Sequence, residues 1–194
     1  MHEDRVAIAG LVHDWVVFRD SGFWERLRAI WAPEGTMSAT WFQGTADDFV
    51  EHNRRGWGAE TPGAVHMLGG ISVDIGGERA VSQSKMTISV RAALNGAPCE
   101  VLCNGRFYDL WQKYDGEWKL VDRAVIYERD RLDMLEGAPF PALDPAILAA
   151  YPPGYRHLAY VQQAAGATVK MGLPGLTGPA VEALYAKGRS WLAG

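Results

Sequence analysis

"RAVSQSKMTISVRAALNGAPCEVLCNGRFYDLWQKYDGEWKLVDRAVIYER", residues 79–129, decides the fold class. Side chains alternate with a period of two through 79–94, 99–114 and 117–129, the spacing of strands with two different faces. The joints are "NGAP" (95–98) and Asp115-Gly116. Asn-Gly and Asp-Gly between alternating runs are strong hairpin signals, because both turn residues must accept positive φ. Just upstream, after Pro62, "AVHMLGGISVDI" (64–75) alternates in the same way and is joined to residue 79 through "GGE" (76–78). Four strands in a row, each turning back on the last, predict an antiparallel meander.

The chain before the meander has helical spacing instead. Ile8, Leu11, Val12, Trp15 and Val16 recur at i, i+3, i+4, i+7 and i+8, which predicts a helix over 4–19 with one apolar face, widened by Val6, Val17 and Phe18. Ser21-Gly22 breaks it. "FWERLRAIWA" (23–32) predicts a second helix ended by Pro33 and Gly35, "TMSATWF" (36–42) a short strand, and "ADDFVEHNRRGW" (46–57) a third helix opened by Thr45 with Asp48 three residues on. Helices followed by an antiparallel meander predict an α+β domain with its helices on one face of a curved sheet.

Composition narrows the function classes. The chain has 194 residues, 48% hydrophobic and 22% charged, which suits a globular domain with its own core. A net charge of -4 without basic clusters argues against a nucleic-acid surface. "MHEDRVAIAG" lacks the basic and apolar regions of a secretory signal, and no run approaches the roughly 18 apolar residues of a membrane span. The expectation is a cytoplasmic protein with no membrane partner. Cys99 and Cys103, four residues apart on one strand, are separated by about 13 Å at about 3.3 Å per residue. A disulfide needs Cα atoms within about 7 Å, so two buried free thiols are expected. The five histidines fall at no metal-ligand spacing, and no metal site is expected.

From Glu136 the texture becomes rich in Pro, Ala and aromatic residues, with Pro179 placed to begin a last helix. Residues 1–135 therefore read as the α+β domain. Residues 136–194 read as an aromatic, partly helical extension that docks on that domain or on a second copy, and a homodimer or higher homo-oligomer is expected.

The helix running into "VFRDSGFWERLRAIWAPEGTM", the helix "TADDFVEHN", the strand "AVHMLGG" and the hairpin ending "YDGEWKLVDRAVIY" together resemble the SnoaL-like branch of the nuclear transport factor 2-like superfamily, over about residues 4–134. The resemblance implies a cone-shaped α+β barrel, with N-terminal helices and a curved antiparallel sheet wrapped around one deep pocket. It also implies chemistry without a cofactor. In scytalone dehydratase and hexachlorocyclohexane dehydrochlorinase, which belong to this superfamily, an Asp after the first helix and a His after the third form a catalytic pair. Asp20 and His66 match them by local context, and Arg123 matches an arginine lining the dehydrochlorinase pocket. The strand "CNGRFYDLW" carries no counterpart of scytalone dehydratase's second histidine.

The residue chemistry is consistent with that implication. A neutral imidazole is a usable base near neutral pH, and a carboxylate on its far nitrogen sets the tautomer and stabilises the imidazolium. Arg123 could balance a developing negative charge. Period-two alternation places Lys119, Val121, Arg123, Val125 and Tyr127 on one face. Tyr127 could donate a hydrogen bond to a substrate oxygen. Trp24, Trp41, Arg106 and Tyr108 complete the candidate substrate-binding set, and Asp14 is a carboxylate near the first helix's apolar face. Each catalytic candidate also has a purely structural reading: Asp20 as a turn residue, Arg123 as an ion-pair partner, His66 as a satisfied core histidine. The expected activity is a cofactor-free lyase of dehydratase or eliminase type on a hydrophobic cyclic or aromatic small molecule, lignin-derived aromatics included. The alternatives are an isomerase or polyketide cyclase of the same fold, or a non-catalytic ligand-binding module.

Overall fold

The computed structural model describes residues 2–57 and 63–194. Pro62, expected to precede the first meander strand, lies outside the described residues. The elements run α1 (His2–Asp20), α2 (Trp24–Ile30), β1 (Trp31–Ser38), β2 (Gln43–Thr45), α3 (Ala46–Gly56), β3 (Ala64–Gly76), β4 (Arg79–Leu94), β5 (Ala97–Tyr114), β6 (Glu117–Met134), α4 (Pro145–Ala150), α5 (Arg156–Ala164) and α6 (Pro179–Ala193). The six strands form one curved, unclosed sheet in the order β2-β1-β6-β5-β4-β3.

β3 to β6 pair antiparallel in sequence. At the last two of the three two-residue hairpins Asn95 and Gly96 have φ of 51° and 81°, and Asp115 and Gly116 have 51° and 86°. Positive φ at both turn positions matches the right-handed twist of the flanking strands. The paired glycines after His66 also have a purpose. The β3–β4 register shifts between Leu68 and Ile71, so Gly69 and Gly70 bulge opposite Lys85. Thr45 caps α3: its Oγ1 accepts from the Asp48 backbone N–H at 3.1 Å.

Two expectations are corrected. First, Trp31 is not helical. α2 ends at Ile30, and Trp31 opens β1, which pairs parallel to β6 and contains Pro33 and Gly35. A proline disfavours helical geometry in the residue before it, and β1's ladder is irregular between Trp31 and Thr36, so the missing donor costs little there. The predicted 36–42 strand is thus the end of β1 plus a turn, closed by Ala39 N–H to Phe42 O at 2.8 Å. The N-terminal helices share one face of the sheet, as expected for the domain, and the extension adds a helix to each face. α1, α2, α3 and α5 contribute to the main core, while α6 covers the opposite face of the sheet, where Val181 packs with Val81, Tyr108, Leu110 and Ile126. Beneath α6 the outer face is apolar at Tyr108, Leu110 and Ile126, as a sheet covered on both sides requires. Gly188 lets α6 come close, since a Cβ there would collide with the Tyr108 hydroxyl. Second, β6 does not alternate evenly. Its register with β5 shifts between Leu110 and Trp111, leaving Val121 unpaired. That extra residue takes Lys119 off the face shared by Arg123, Val125 and Tyr127. Along α1, Val6 and Val17 are exposed at 59% and 52%, while Phe18 is buried.

The extension from 136 onward is stitched to the domain. Lys170 N–H donates to Thr40 O and Tyr127 N–H to Pro174 O, both at 2.8 Å. At the start of α5 the buried Asp130 carboxylate accepts the His157 N–H at 2.6 Å, the Leu158 N–H at 2.8 Å and His157 Nδ1–H at 2.8 Å. Two first-turn amides that the helix itself cannot satisfy are paired this way. Asp130→Ala is expected to cost about 1–2 kcal/mol, the scale of a lost helix cap. Hydrogen exchange should show amide protection lost first in α5; unchanged protection there would contradict the assignment. Cys99 and Cys103 are free and buried on β5.

Candidate active site

The end of α1 and the start of β3 meet. Arg19 and Asp20 close the helix, and Arg19 Nη1 donates to Ala64 O at 2.8 Å, tying the helix end to the strand. Two residues along, His66 turns inward, while its neighbours Val65 and Met67 are exposed. Asp20 uses both oxygens on this one residue. Oδ2 accepts the His66 backbone N–H at 2.6 Å, and Oδ1 accepts Nδ1–H at 2.9 Å. Arg19 Nη1 also reaches Oδ1, at 3.1 Å. The His66 side chain is 7% exposed and that of Asp20 15%, so the pair is largely shielded from water and its geometry is over-determined. Nε2 has no hydrogen-bond partner among the described residues.

His66 forms part of the wall of a cavity of about 180 Å³. The other walls are mainly rings and aliphatic groups: Trp15, Phe49 and Phe107 from the core, Trp41 from the β1–β2 turn, Tyr127 from β6 and Leu158 from α5. Trp15 meets the imidazole edge-on at 5.9 Å between ring centres, and Phe107 lies at 6.1 Å. Asp20 stands behind His66 and is not part of the wall. Wider clefts lie elsewhere on the surface, and neither Asp20, His66 nor Arg123 lines them.

Burial dominates the electrostatics. It lowers the His66 pKa from the ordinary 6.5, against the hydrogen bond donated to Asp20 that raises it, with the Arg19 and Arg123 charges lowering it further. For Asp20, burial works upward, but the bonds and charge of His66 and the Arg19 charge outweigh it and hold the carboxyl below its usual range. The consistent state is a neutral imidazole protonated at Nδ1 facing a carboxylate, with the Nε2 lone pair free.

The structure brings together only part of the predicted set. His66, Trp41 and Tyr127 line the cavity; the Tyr127 hydroxyl accepts from Thr40 N–H at 3.0 Å and keeps its own proton available. Arg123 does not line it. It is fully buried, bound through Nε and Nη2 to Asp109 at 2.7 and 2.8 Å, with its guanidinium 4.3 Å from the Trp15 ring centre and 4.2 Å from that of Phe107. It braces the aromatic wall from behind. Arg106 and Tyr108 alternate to the opposite face of β5 from Phe107. There Arg106 pairs with Glu128 at 2.6 Å, and Tyr108 packs on Tyr185 of α6. Trp24 packs against Trp57, away from the cavity. Asp14 is on the exposed side of α1.

Besides the apolar wall, three polar or charged cavity residues were missed by sequence reasoning. Arg19 was overlooked because its neighbour Asp20 carried the motif. Thr40 lies in a turn read as strand. Gln162 lies in the extension, where no periodic signal pointed inward. Among the described residues, no group of three or more His, Cys, Asp or Glu side chains could hold a metal ion, and no helix is long and apolar enough to cross a membrane.

The sequence profile of the SnoaL-like domain matches residues 1–124. Pea pathogenicity protein 2 of Fusarium vanettenii is 34% identical over 178 residues, covering 89% of this chain and 75% of that protein. A PEP2-like protein of the same fungus is 33% identical over 204 residues, covering 98% and 86%. Among solved structures, a protein of Novosphingobium aromaticivorans provisionally assigned as a scytalone dehydratase superposes with a TM-score of 0.55 at 21% identity, covering 72% of this chain and 90% of that one. A type 2 hexachlorocyclohexane dehydrochlorinase superposes with a TM-score of 0.56 at 13% identity, covering 71% and 92%. At these identities the structural likeness establishes the nuclear transport factor 2-like fold.

Proposed function

Because the chain belongs to the SnoaL-like domain family, whose fold is shared by a dehydrochlorinase and a protein assigned as a dehydratase, we propose that it is a cofactor-independent lyase acting on a small cyclic, hydrophobic molecule. The observation that carries this reading is the His66 imidazole: held at Nδ1 by Asp20, without a hydrogen-bond partner at Nε2 among the described residues, and set in the wall of an aromatic cavity.

In the proposed reaction Nε2 takes a proton from a carbon made acidic by a neighbouring carbonyl. The C–H electron pair becomes the new C=C bond, and the group on the adjacent carbon leaves with its own bonding pair. Asp20 holds the ring in the tautomer that leaves Nε2 basic and stabilises the imidazolium once it forms. Arg19, a guanidinium in the cavity wall beside the pair, takes the charge-balancing role first given to Arg123. Tyr127 and Trp41 bind the substrate, Tyr127 as a hydroxyl donor.

The test is elimination from a panel of single-ring β-hydroxy ketones, followed by the absorbance of the conjugated product, with proton exchange in heavy water read in parallel by NMR. Elimination by the wild type and not by His66→Ala supports the lyase. Exchange without elimination favours the isomerase or cyclase reading. Binding with neither would reduce the protein to a ligand-binding module.

The pH dependence follows from the shift. The base form is active, so the rate falls as pH drops through the His66 pKa. Burial places that pKa below 6.5, so kcat/KM should stay level through neutrality and fall only in the acid range. An acid limb centred above 6.5 would contradict a buried neutral base.

A further inference from the structure

We propose that Gln162, on α5, is the specificity-determining residue of this cavity, and that it selects single-ring compounds bearing a hydroxyl. The inference rests on the cavity being the functional site. It adds a recognition element from outside the matched domain, since α5 lies beyond residues 1–124.

Three residues of the cavity wall each carry a polar atom that is buried without a hydrogen-bond partner among the described residues: Gln162 Oε1, Thr40 Oγ1 and Trp15 Nε1. A buried polar group left unpaired costs about 1–3 kcal/mol, and such groups in folded proteins are nearly always partnered by something. Among the three, the Gln162 carbonyl oxygen can only accept. Its partner must therefore bring a donor, an O–H or N–H.

The helix that carries the amide is also held in place. Asp130 anchors the first turn of α5; Leu158, Ala159 and Val161 bury the helix against the core; and the Tyr155 hydroxyl donates to Lys170 O at 3.2 Å. A group fixed on an anchored helix discriminates better than one on a mobile loop, because little ordering remains to be done on binding. The size and walls set the rest of the ligand. An engineered apolar cavity of about 150 Å³ takes benzene, so about 180 Å³ takes one ring with a small substituent. Five aromatic side chains (Trp15, Trp41, Phe49, Phe107 and Tyr127) favour a flat, apolar body.

The test uses p-cresol and p-xylene, a near-isosteric pair differing by hydroxyl against methyl. Affinities are measured by calorimetry on wild type, Gln162→Met, His66→Ala and the two changes combined, each with its melting curve. Comparing ratios removes the difference in hydrophobicity between the probes. Gln162→Met is expected to shift the p-cresol to p-xylene affinity ratio about tenfold toward p-xylene, the value of one hydrogen bond. Gln162→Met should shift the ratio by the same factor in the His66→Ala background, where turnover is lost, so failure of the base assignment and failure of this proposal are read separately. An unchanged ratio in Gln162→Met, an equal loss for both probes, binding of neither probe, or no further shift when Gln162→Met is added to His66→Ala each overturns it. If Gln162→Met melts early, Gln162→Leu is measured in its place against the same criteria.

Discussion

His66→Ala is expected to fold normally and to lose about 10²–10⁴-fold in turnover, the usual contribution of a general base. Asp20→Asn should lose nearly as much, for a reason specific to this geometry. Asp20 accepts from two donors of His66, the backbone N–H and Nδ1–H. An asparagine has one accepting oxygen, and the backbone N–H cannot change its nature, so the oxygen stays with it. The amide NH₂ then faces Nδ1, which can only answer by giving up its proton. The ring shifts to the Nε2–H tautomer and presents a donor to the cavity where a base is needed. Nitrogen-15 NMR of the histidine ring should show the proton moved to Nε2 in Asp20→Asn. A folded His66→Ala protein that turns over its substrate at the wild-type rate would end the proposal.

Arg123 should fail differently. Its partner Asp109 is fully buried, accepts from Ser82 Oγ at 3.2 Å as well, and has its pKa raised by burial against the pull of Arg123. Removing one member of a buried ion pair strands the other, at a cost of about 3–5 kcal/mol. Arg123→Met should therefore lower the melting temperature by roughly 6–20 °C, taking about 2–4 °C per kcal/mol for a chain of this size. Asp109→Leu combined with Arg123→Met should recover much of that, because no lone charge remains. At temperatures where Arg123→Met is folded, its loss of activity should be far smaller than that of His66→Ala. An Arg123→Met protein that melts like wild type but is inactive would restore Arg123 to a direct catalytic role.

Much of this was open to reading along the chain. Period-two runs with Asn95-Gly96 and Asp115-Gly116 between them have one local solution, a meander of hairpins, because turn conformation and strand alternation are set by neighbouring residues. The α1 face and the Thr45 cap are local in the same sense. The contact between Asp20 and His66 was anticipated only through the resemblance of their surroundings to a known family, since nothing local links residues 46 apart. The rest needed the tertiary structure. The extra residue at Val121 is visible only when β6 is laid against β5, and it decides which faces Lys119 and Arg123 occupy. Trp31 leaves the helix because β6 offers a parallel ladder, a non-local gain that overrides helical spacing. Arg106 and Tyr108 go to the far face because α6 returns to cover it. Gln162 reaches the cavity only because Asp130, on a distant strand, fixes the start of α5. Local sequence specified which segments became helices, strands and turns. Long-range pairing decided which side chains share a wall, because a shift of one residue in a strand, or one helix docked on a face, reverses what points inward.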